Sequence, residues 1–430
     1  MPITYTVSEN GLIGSIQQWH EPPPDGIQVP DEVFQTLRRF AFEVEQADAL
    51  LTYSVQKNRE LIRVRNYVGL LPLSNRAYLE ILPKIEGVAT SRTVLLKMLR
   101  RLRNSPFRMI RDTHTGATSL PLWEVFVGAF LTNAEVVLQQ GVQRAYVAQE
   151  GNERFLRGKL QIARQLLENA FHAERLAVVY DTLTANVASN RILKTTLVYL
   201  KKTTISLANQ RRIQLLLSLL DEVPPSESIT ADLKAVQRAG RLFSRYEQAL
   251  IWAEALLSGQ GMGVEMGRKM SLSLLFPMER VFEDYVAYGI RTYWPETHEV
   301  RIQESSAHLV DEHVGEPRFK LRPDIIVRHE TQTFVLDTKW KEISGNVASG
   351  TSTVGTYGIE QADLYQLYAY GKKYDANNLF LIYPANATFR EPLSVFGYDA
   401  TTRLHVVPFD LTNSLVHEVE KLARYALSYQ

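Results

Sequence analysis

The 430-residue chain has no cysteine. Disulfides, iron–sulfur clusters and cysteine-ligated zinc are thereby excluded, and a cytoplasmic location is expected, since nothing in the composition needs an oxidising compartment. Nine histidines are scattered without an H-E-x-x-H pair, which argues against a zinc hydrolase. A net charge of +1 gives no bulk electrostatic field, so contact with nucleic acid has to come from local patches. There is no nucleotide-binding P-loop: around Gly158-Lys159 the pattern would need glycine where Glu153 stands and Ser or Thr at Leu160. The most apolar long stretch, residues 120–138, is interrupted by Glu124, Asn133 and Glu135 and reads as a buried helix, so no membrane association is expected. The opening Met1-Pro2-Ile3-Thr4-Tyr5 has neither the basic nor the apolar region of a secretory signal.

What remains is an ordinary globular composition, 45% hydrophobic and 22% charged, over a length that suits two or three domains. Residues 1–150 read as an α+β N-terminal domain that contacts a partner or DNA. Strand-like runs at 3–7, 50–55, 61–65 and 78–82 lie close enough for a small barrel-like or strongly curved sheet. Between 92 and 111 the chain carries Arg92, Lys97, Arg100, Arg101, Arg103, Arg108 and Arg111 and no acidic residue. Leu95, Leu96, Leu99 and Leu102 give this helix a core face. The cations then form either a solvated face or a surface that meets phosphate or a partner.

Residues 151–265 read as a helical connector, with helices near 191–200 and 213–220 and a long one over 231–257, on which Arg238, Arg241 and Arg245 share a face. The glycine-rich stretch 259–267 marks a linker. Residues 266–430 read as an α/β domain. A helix from Met278 places Phe282 and Val286 toward the core with Glu283 beside them. A Gly/Ser/Thr-rich segment covers 345–358, and a helix over 360–373 pairs Gln366 with Tyr370 at i, i+4. Strands at 378–384 and 404–408 and a closing helix complete a mixed sheet flanked by helices.

Within this domain, Arg322-Pro323-Asp324-Ile325-Ile326-Val327-Arg328 and Phe334-Val335-Leu336-Asp337-Thr338-Lys339 are apolar, β-branched runs separated by polar Glu330-Thr331-Gln332, a hairpin pattern. A turn centred near Thr331 sets Asp324 opposite Thr338 and next to Asp337. Asp337 and Lys339 share a face because strand side chains alternate. Two carboxylates and an ammonium then meet at one end of the hairpin. Such a group holds a hard divalent cation through oxygen and leaves the lysine for a water or a phosphate; the alternative is a surface salt bridge. Pro24-Asp25 and Pro30-Asp31 lack a following acid-x-lysine, and Asp232-Leu233-Lys234 lacks an upstream Pro-Asp and falls in a helical region.

The spacing P-D-x12-D-x-K resembles the signature of the PD-(D/E)xK nuclease superfamily. Asn66-Tyr67-Val68-Gly69, Ile81-Leu82-Pro83-Lys84-Ile85, Leu156-Arg157-Gly158-Lys159-Leu160, Ser189-Asn190-Arg191-Ile192-Leu193-Lys194, Met278-Glu279-Arg280-Val281-Phe282-Glu283 and Asp363-Leu364-Tyr365-Gln366, taken in order with the hairpin, resemble the McrC family. That family is the nuclease subunit of McrBC-type modification-dependent restriction systems. The resemblance implies a PD-(D/E)xK fold and an endonuclease acting on double-stranded DNA. It also implies a McrB-like AAA+ GTPase partner that recognises modified cytosine and translocates DNA, and whose GTP hydrolysis the nuclease subunit stimulates.

The expected catalytic set is Asp324, Asp337 and the Thr338 backbone carbonyl on Mg2+, or Mn2+. Lys339 orients or deprotonates the attacking water or stabilises the developing phosphorane charge. Glu283 is expected as an outer ligand, and Gln366 as a group that positions the phosphate or the lysine. Two competing readings keep the fold: a stand-alone repair nuclease that cuts unmodified DNA unaided, and a non-catalytic activator or scaffold of an AAA+ ring. The intact Asp324, Asp337 and Lys339 count against the second.

Overall fold

The computed structural model describes residues 3–43, 47–73, 77–85, 87–103, 120–239, 244–257, 274–329, 332–345 and 357–429. The expected linker at 259–267, the cations Arg108, Arg111 and Arg241, and most of the segment 345–358 lie outside them. The chain forms two compact units, each assembled from separated stretches. One comprises Met1–Tyr5, Leu70–Glu80 and Arg111–Leu274, the other Thr6–Gly69, Ile81–Ile110 and Leu275–Gln430. No helix among the described residues is long and apolar enough to cross a membrane.

In the first unit the apolar stretch forms the helix Leu122–Gln139, buried along most of its length. Its interrupting Glu124 is also buried, and it is satisfied there by Thr204 Oγ1 (2.6 Å), the Ile205 amide (2.7 Å) and Asn209 Nδ2 (2.9 Å). Around it lie Ala188–Thr203, Leu207–Leu219, Ile229–Ala239 and Glu247–Leu257. The last two stand where one long helix was expected over 231–257. The first ends at Ala239 and the second begins at Glu247, and just before it the fully buried Tyr246 donates its hydroxyl to Asn190 Oδ1 (2.9 Å).

A strand, Leu176–Thr184, also interrupts the expected run of helices and pairs antiparallel with Ala145–Glu153. Gly158, in the left-handed region (φ 72), lets the chain pass so close to this strand that a Cβ would lie 2.3 Å from the Val179 carbonyl oxygen. The Asp-x-Lys at Asp232 is helical, as expected, and Asp232 is an ion-pair partner of Arg191.

The second unit holds two sheets that matter here. Near the N-terminus, Gly26–Val29, Leu12–Ser15, Arg59–Val64 and Leu51–Gln56 form a four-stranded sheet in that order. Helix Asp31–Glu43 packs on it through Phe34 and Leu37. The larger sheet has six strands in the order Glu299–Ile302, Ile325–His329, Gln332–Thr338, Asn378–Pro384, Arg403–Phe409, Phe396–Gly397. The first three pair antiparallel, the next two join parallel, and the last is antiparallel, so the sheet is mixed.

Alternation divides the sheet's side chains between two covering layers. Ile326, Val335, Leu379, Leu381, Leu404 and Val406 face helix Gln361–Tyr374, which contributes Leu367, Tyr370 and Tyr374 to the same cluster. This helix is the crossover between parallel strands, and Gly371 lets it sit tightly: a Cβ there would meet Leu379 at 2.9 Å. Phe334, Phe380, His405 and Phe409 lie toward the opposite layer, where Phe282 and Tyr285 of helix Met278–Tyr293 and Tyr425 of helix Leu415–Leu427 meet them.

Candidate functional site

The hairpin at the sheet centre differs by one residue from the expected register. His329 pairs with Gln332 and Ile325 with Leu336, so the ladder points Asp324 at Asp337, not at Thr338. Directly opposed residues share a face, so the expected pairing would have split the two aspartates between faces, whereas the observed one brings them together. Asp337, Lys339 and Asp324 all take the side covered by helix Gln361–Tyr374.

Asp324 lies just before its strand begins, partly exposed, and its Oδ2 accepts from the Thr338 amide (2.7 Å) and Thr338 Oγ1 (2.8 Å). With the partner strand starting only at Ile325, the Thr338 peptide thus faces a carboxylate where a ladder carbonyl would otherwise stand. Asp337 is buried, 3% exposed, and forms an ion pair with Lys339 Nζ at 2.7 Å. Burial pushes the Asp324 carboxyl up, with the charges of Asp337 and Glu283 adding to it, to about 8. Burial likewise raises Asp337, against the pull of Lys339 and with the push of Asp363 and Glu283. Lys339 is subject to burial in the opposite sense, but Asp337, Asp363 and Asp324 together hold its ammonium above the usual lysine value. The lysine stays charged, and the carboxylates crowd negative charge that a cation would relieve.

The covering helix supplies the remaining groups. Lys339 Nζ donates to Gln366 Oε1 at 3.3 Å, and Gln366 Nε2 lies 2.7 Å from the Tyr370 hydroxyl, which donates to the Arg322 carbonyl at 3.3 Å. Gln366 is thus hydrogen-bonded to both Lys339 and Tyr370, and Tyr370 is buried, as expected from packing, yet also bonded into the site. Asp363, one turn earlier and buried, lies 3.8 Å from Lys339 and 3.3 Å from Lys341. It was not picked out as a site residue, although its spacing of three from Gln366 on one helix was a readable signal.

Glu283 reaches the same neighbourhood from the other layer. It accepts from Gln303 Nε2 at 2.7 Å and pairs with Arg103 at 3.1 Å. Gln303 sits in the left-handed region (φ 51), held by its amide's bond to the Asp324 carbonyl (2.8 Å), and its side-chain oxygen accepts from Arg322. Trp340, next to Lys339, packs on Phe282 (5.3 Å between centroids) and donates its indole N–H to both oxygens of buried Glu9, at 3.0 and 2.9 Å. Glu9 also accepts from the Lys84 amide (3.0 Å), and burial raises its carboxyl to about 7. Neither Gln303 nor Glu9 carried any signal in the sequence.

Three cations of the basic run are engaged within the unit. Leu95, Leu96, Leu99 and Leu102 are buried as expected, but Lys97 donates to the carbonyls of Leu411 (3.2 Å) and Asn413. Arg101 stacks over Tyr288 (4.4 Å) and bonds its hydroxyl, and Arg103 grips buried Asp284 through its amide (2.9 Å) and its guanidinium. Arg101 and Arg103 fasten the helix that carries Glu283.

Among the described residues no three His, Asp or Glu side chains are arranged to hold a metal. Two carboxylates and a peptide oxygen at an open strand end suit Mg2+ or Mn2+ all the same, because Mg2+ keeps several waters and is bound through one or two carboxylates plus substrate phosphates. The donor set is all oxygen and fits.

The family described as McrBC 5-methylcytosine restriction system component matches residues 62–384. No curated protein matches the chain. Among solved structures, a chain of the refined half-complex from the tetradecameric assembly of Thermococcus gammatolerans McrB AAA+ hexamers with bound McrC is similar over 99% of this chain and 100% of its own, with a TM-score of 0.66 at 17% identity. A chain of the Thermococcus gammatolerans McrBC complex is similar over 67% of this chain and 88% of its own, with a TM-score of 0.48 at 19% identity. At 17% identity the first likeness is one of fold.

Proposed function

Because the chain belongs to the McrBC family of 5-methylcytosine restriction system components, we propose that it is the DNA endonuclease subunit of such a system, with a PD-(D/E)xK active site at Asp324, Asp337 and Lys339. The observation that carries this reading is the convergence of two carboxylates of raised pKa and a charged lysine on one sheet face, at the open end of a central hairpin. The structural neighbour contains McrB AAA+ hexamers with bound McrC. By that analogy this chain works with a McrB-like AAA+ GTPase, whose GTP hydrolysis it stimulates and which recognises modified cytosine and delivers DNA.

The reaction is hydrolysis of a DNA phosphodiester by water in line with the leaving oxygen. Asp324 and Asp337, with the Thr338 carbonyl, hold Mg2+ or Mn2+, which when bound supplies Lewis acidity to a phosphate oxygen and lowers the pKa of water. Thr338 fixes one oxygen of Asp324 through two hydrogen bonds, so the other is the one presented outward. Lys339, held between Asp337 and Gln366, presents its ammonium to the phosphate, where it stabilises the charge that develops in the transition state. Its raised pKa favours this over deprotonating water, which would need a neutral amine. Glu283 tunes the site through its charge, since its oxygen is already shared by Gln303 and Arg103.

The test is cleavage of 5-methylcytosine-containing duplex by the chain reconstituted with an AAA+ GTPase partner, GTP and Mg2+. Wild type cuts, Asp337→Ala does not, and GTP turnover is the same with either. Cutting by Asp337→Ala would refute the active site. Robust cutting of unmodified DNA by the chain alone would replace the restriction role with that of a stand-alone nuclease.

A further inference from the structure

Immediately before Asp324 the chain makes a second, smaller hairpin, in which His308–His313 pairs with Glu316–Lys320. Every residue from 311 to 320 is exposed. Two features set it apart. Arg318 and Lys320 occupy alternate positions of the second strand, facing Val310 and His308 in the register, and the strand ends at Lys320, four residues before Asp324. Among the described residues Arg318 pairs with the exposed Glu316 (3.1 Å), a pair that phosphate readily displaces, and the nearby Asp311 is occupied by Lys373 through both oxygens at 2.7 Å.

The second feature is apolar. Val314 and Gly315 form the two-residue turn with φ 53 and 78, the left-handed pair of a type I′ turn. Val314 is 86% exposed, and Phe319, between the two cations, is 74% exposed at φ 58. A β-branched and an aromatic residue in that region are strained, and such outliers gather at ligand-holding segments.

Spacing identifies the ligand. Alternate strand residues lie about 6.8 Å apart, and successive phosphates of one DNA strand, which rise about 3.4 Å along the axis while turning about it, lie roughly 6–7 Å apart through space, so the two cations match adjacent phosphates. By chain reach, Lys320 lies within about 14 Å of Asp324 and Arg318 within about 21 Å. We propose that the hairpin 308–320 is a backbone clamp for double-stranded DNA, in which Arg318 and Lys320 hold adjacent phosphates near the scissile one and the exposed Phe319 lies against the neighbouring groove. The clamp rests on the nuclease reading of Asp324, Asp337 and Lys339 and gives that site its substrate-holding arm.

The experiment is binding of duplex DNA by the full-length chain without divalent cation, followed by fluorescence anisotropy from about 50 to 200 mM salt. The double variant Arg318→Ala/Lys320→Ala should bind more weakly and lower the slope of log K against log salt by about 1.8, roughly 0.9 per phosphate contact. Phe319→Ala should weaken binding with no change in slope. In the complex with its partner, the double variant should raise KM for cutting and leave the single-turnover rate at saturating DNA unchanged.

The clamp is overturned if wild type binds no duplex, or if the folded double variant keeps the wild-type affinity and slope. It is also overturned if the rate falls with KM unchanged, since that would place the effect on the carboxylates. Arg318→Glu, a single exposed change, repeats the test should the double variant fold poorly. Failure of the nuclease reading shows separately, as cutting by Asp337→Ala, and does not alter the salt slope.

Discussion

Replacing Lys339 with alanine separates what this lysine does for the fold from what it does for the chemistry. Its ammonium lies 2.7 Å from an Asp337 side chain that is 4% exposed, with Asp363 at 3.8 Å. Removing one partner of a buried pair costs about 3–5 kcal/mol, because the charge left behind has lost both water and its counter-ion. Lys339 itself is 20% exposed, so water entering the vacated space holds the loss to the lower end, about 3 kcal/mol.

The sign with pH follows from Asp337, whose pKa is already raised and rises further without the ammonium. The penalty is fully present above that raised pKa and fades as pH falls through it, because the folded carboxyl then takes up a proton. Mg2+ should restore part of the loss by supplying the missing positive charge. Cutting should nevertheless fall by about 10²- to 10³-fold at saturating Mg2+, the usual cost of losing one charge-stabilising donor. The assays are thermal unfolding between pH 5 and 9 with and without Mg2+, on the scale about 5 to 9 that brackets these groups, and single-turnover cleavage by the reconstituted complex. A variant that loses stability on this pattern yet cuts at the wild-type rate refutes the catalytic argument and leaves Lys339 a counter-ion.

Three further outcomes are expected. Asp324 has a folded pKa above its unfolded value, so stability should fall as pH rises from the ordinary carboxylate range to about 8; Asp324→Asn should flatten that decline and abolish Mg2+ binding, as seen by calorimetry and thermal unfolding. Glu9, raised to about 7, destabilises in the same sense: Glu9→Gln should stabilise by up to about 3 kcal/mol above pH 8 and by little near pH 5, whereas Glu9→Ala should cost about 1–3 kcal/mol by stranding the Trp340 N–H and the Lys84 amide, both read by urea unfolding. Arg103→Ala should cost about 3–5 kcal/mol in the same measurement, because it leaves the fully buried Asp284 without its guanidinium.

The hairpin strands were legible because β-branched, apolar runs bounded by polar residues have few other structures open to them, and Asp337 and Lys339 share a face by local geometry alone. The register was not. Both strands are buried on both faces, as Ile325, Ile326, Val335 and Leu336 show, so no polar face penalised a slip of one residue, and Glu330-Thr331-Gln332 named no turn. The helix at 360–373 was readable from its spacing, and with it the Gln366–Tyr370 pair. The part Asp363 takes depended on which sheet face that helix covers. The strand Leu176–Thr184 was lost among helices because its pairing partner, Ala145–Glu153, lies more than twenty residues back.

Charge shows the same division at longer range. The run of cations at 92–103 promised an external surface, and several of them are instead spent inside the unit: Arg103 meets Asp284 across 181 positions of sequence, and Lys97 caps carbonyls 314 and 316 positions away. By itself the sequence determined which chemistries were available. Lacking cysteine and a P-loop, and holding one hairpin with two aspartates and a lysine, it left oxygen-ligated metal chemistry on a phosphate as the reading to test. Only the tertiary structure decided that Asp324 and Asp337 share a face, that Asp363 and Gln366 attend Lys339, and that Glu9 and Arg103 support the site from distant stretches. The physical reason is that side-chain alternation and helical spacing are local properties of the backbone, whereas strand register, layer assignment and the partner of a buried charge are settled by packing among segments far apart in the chain.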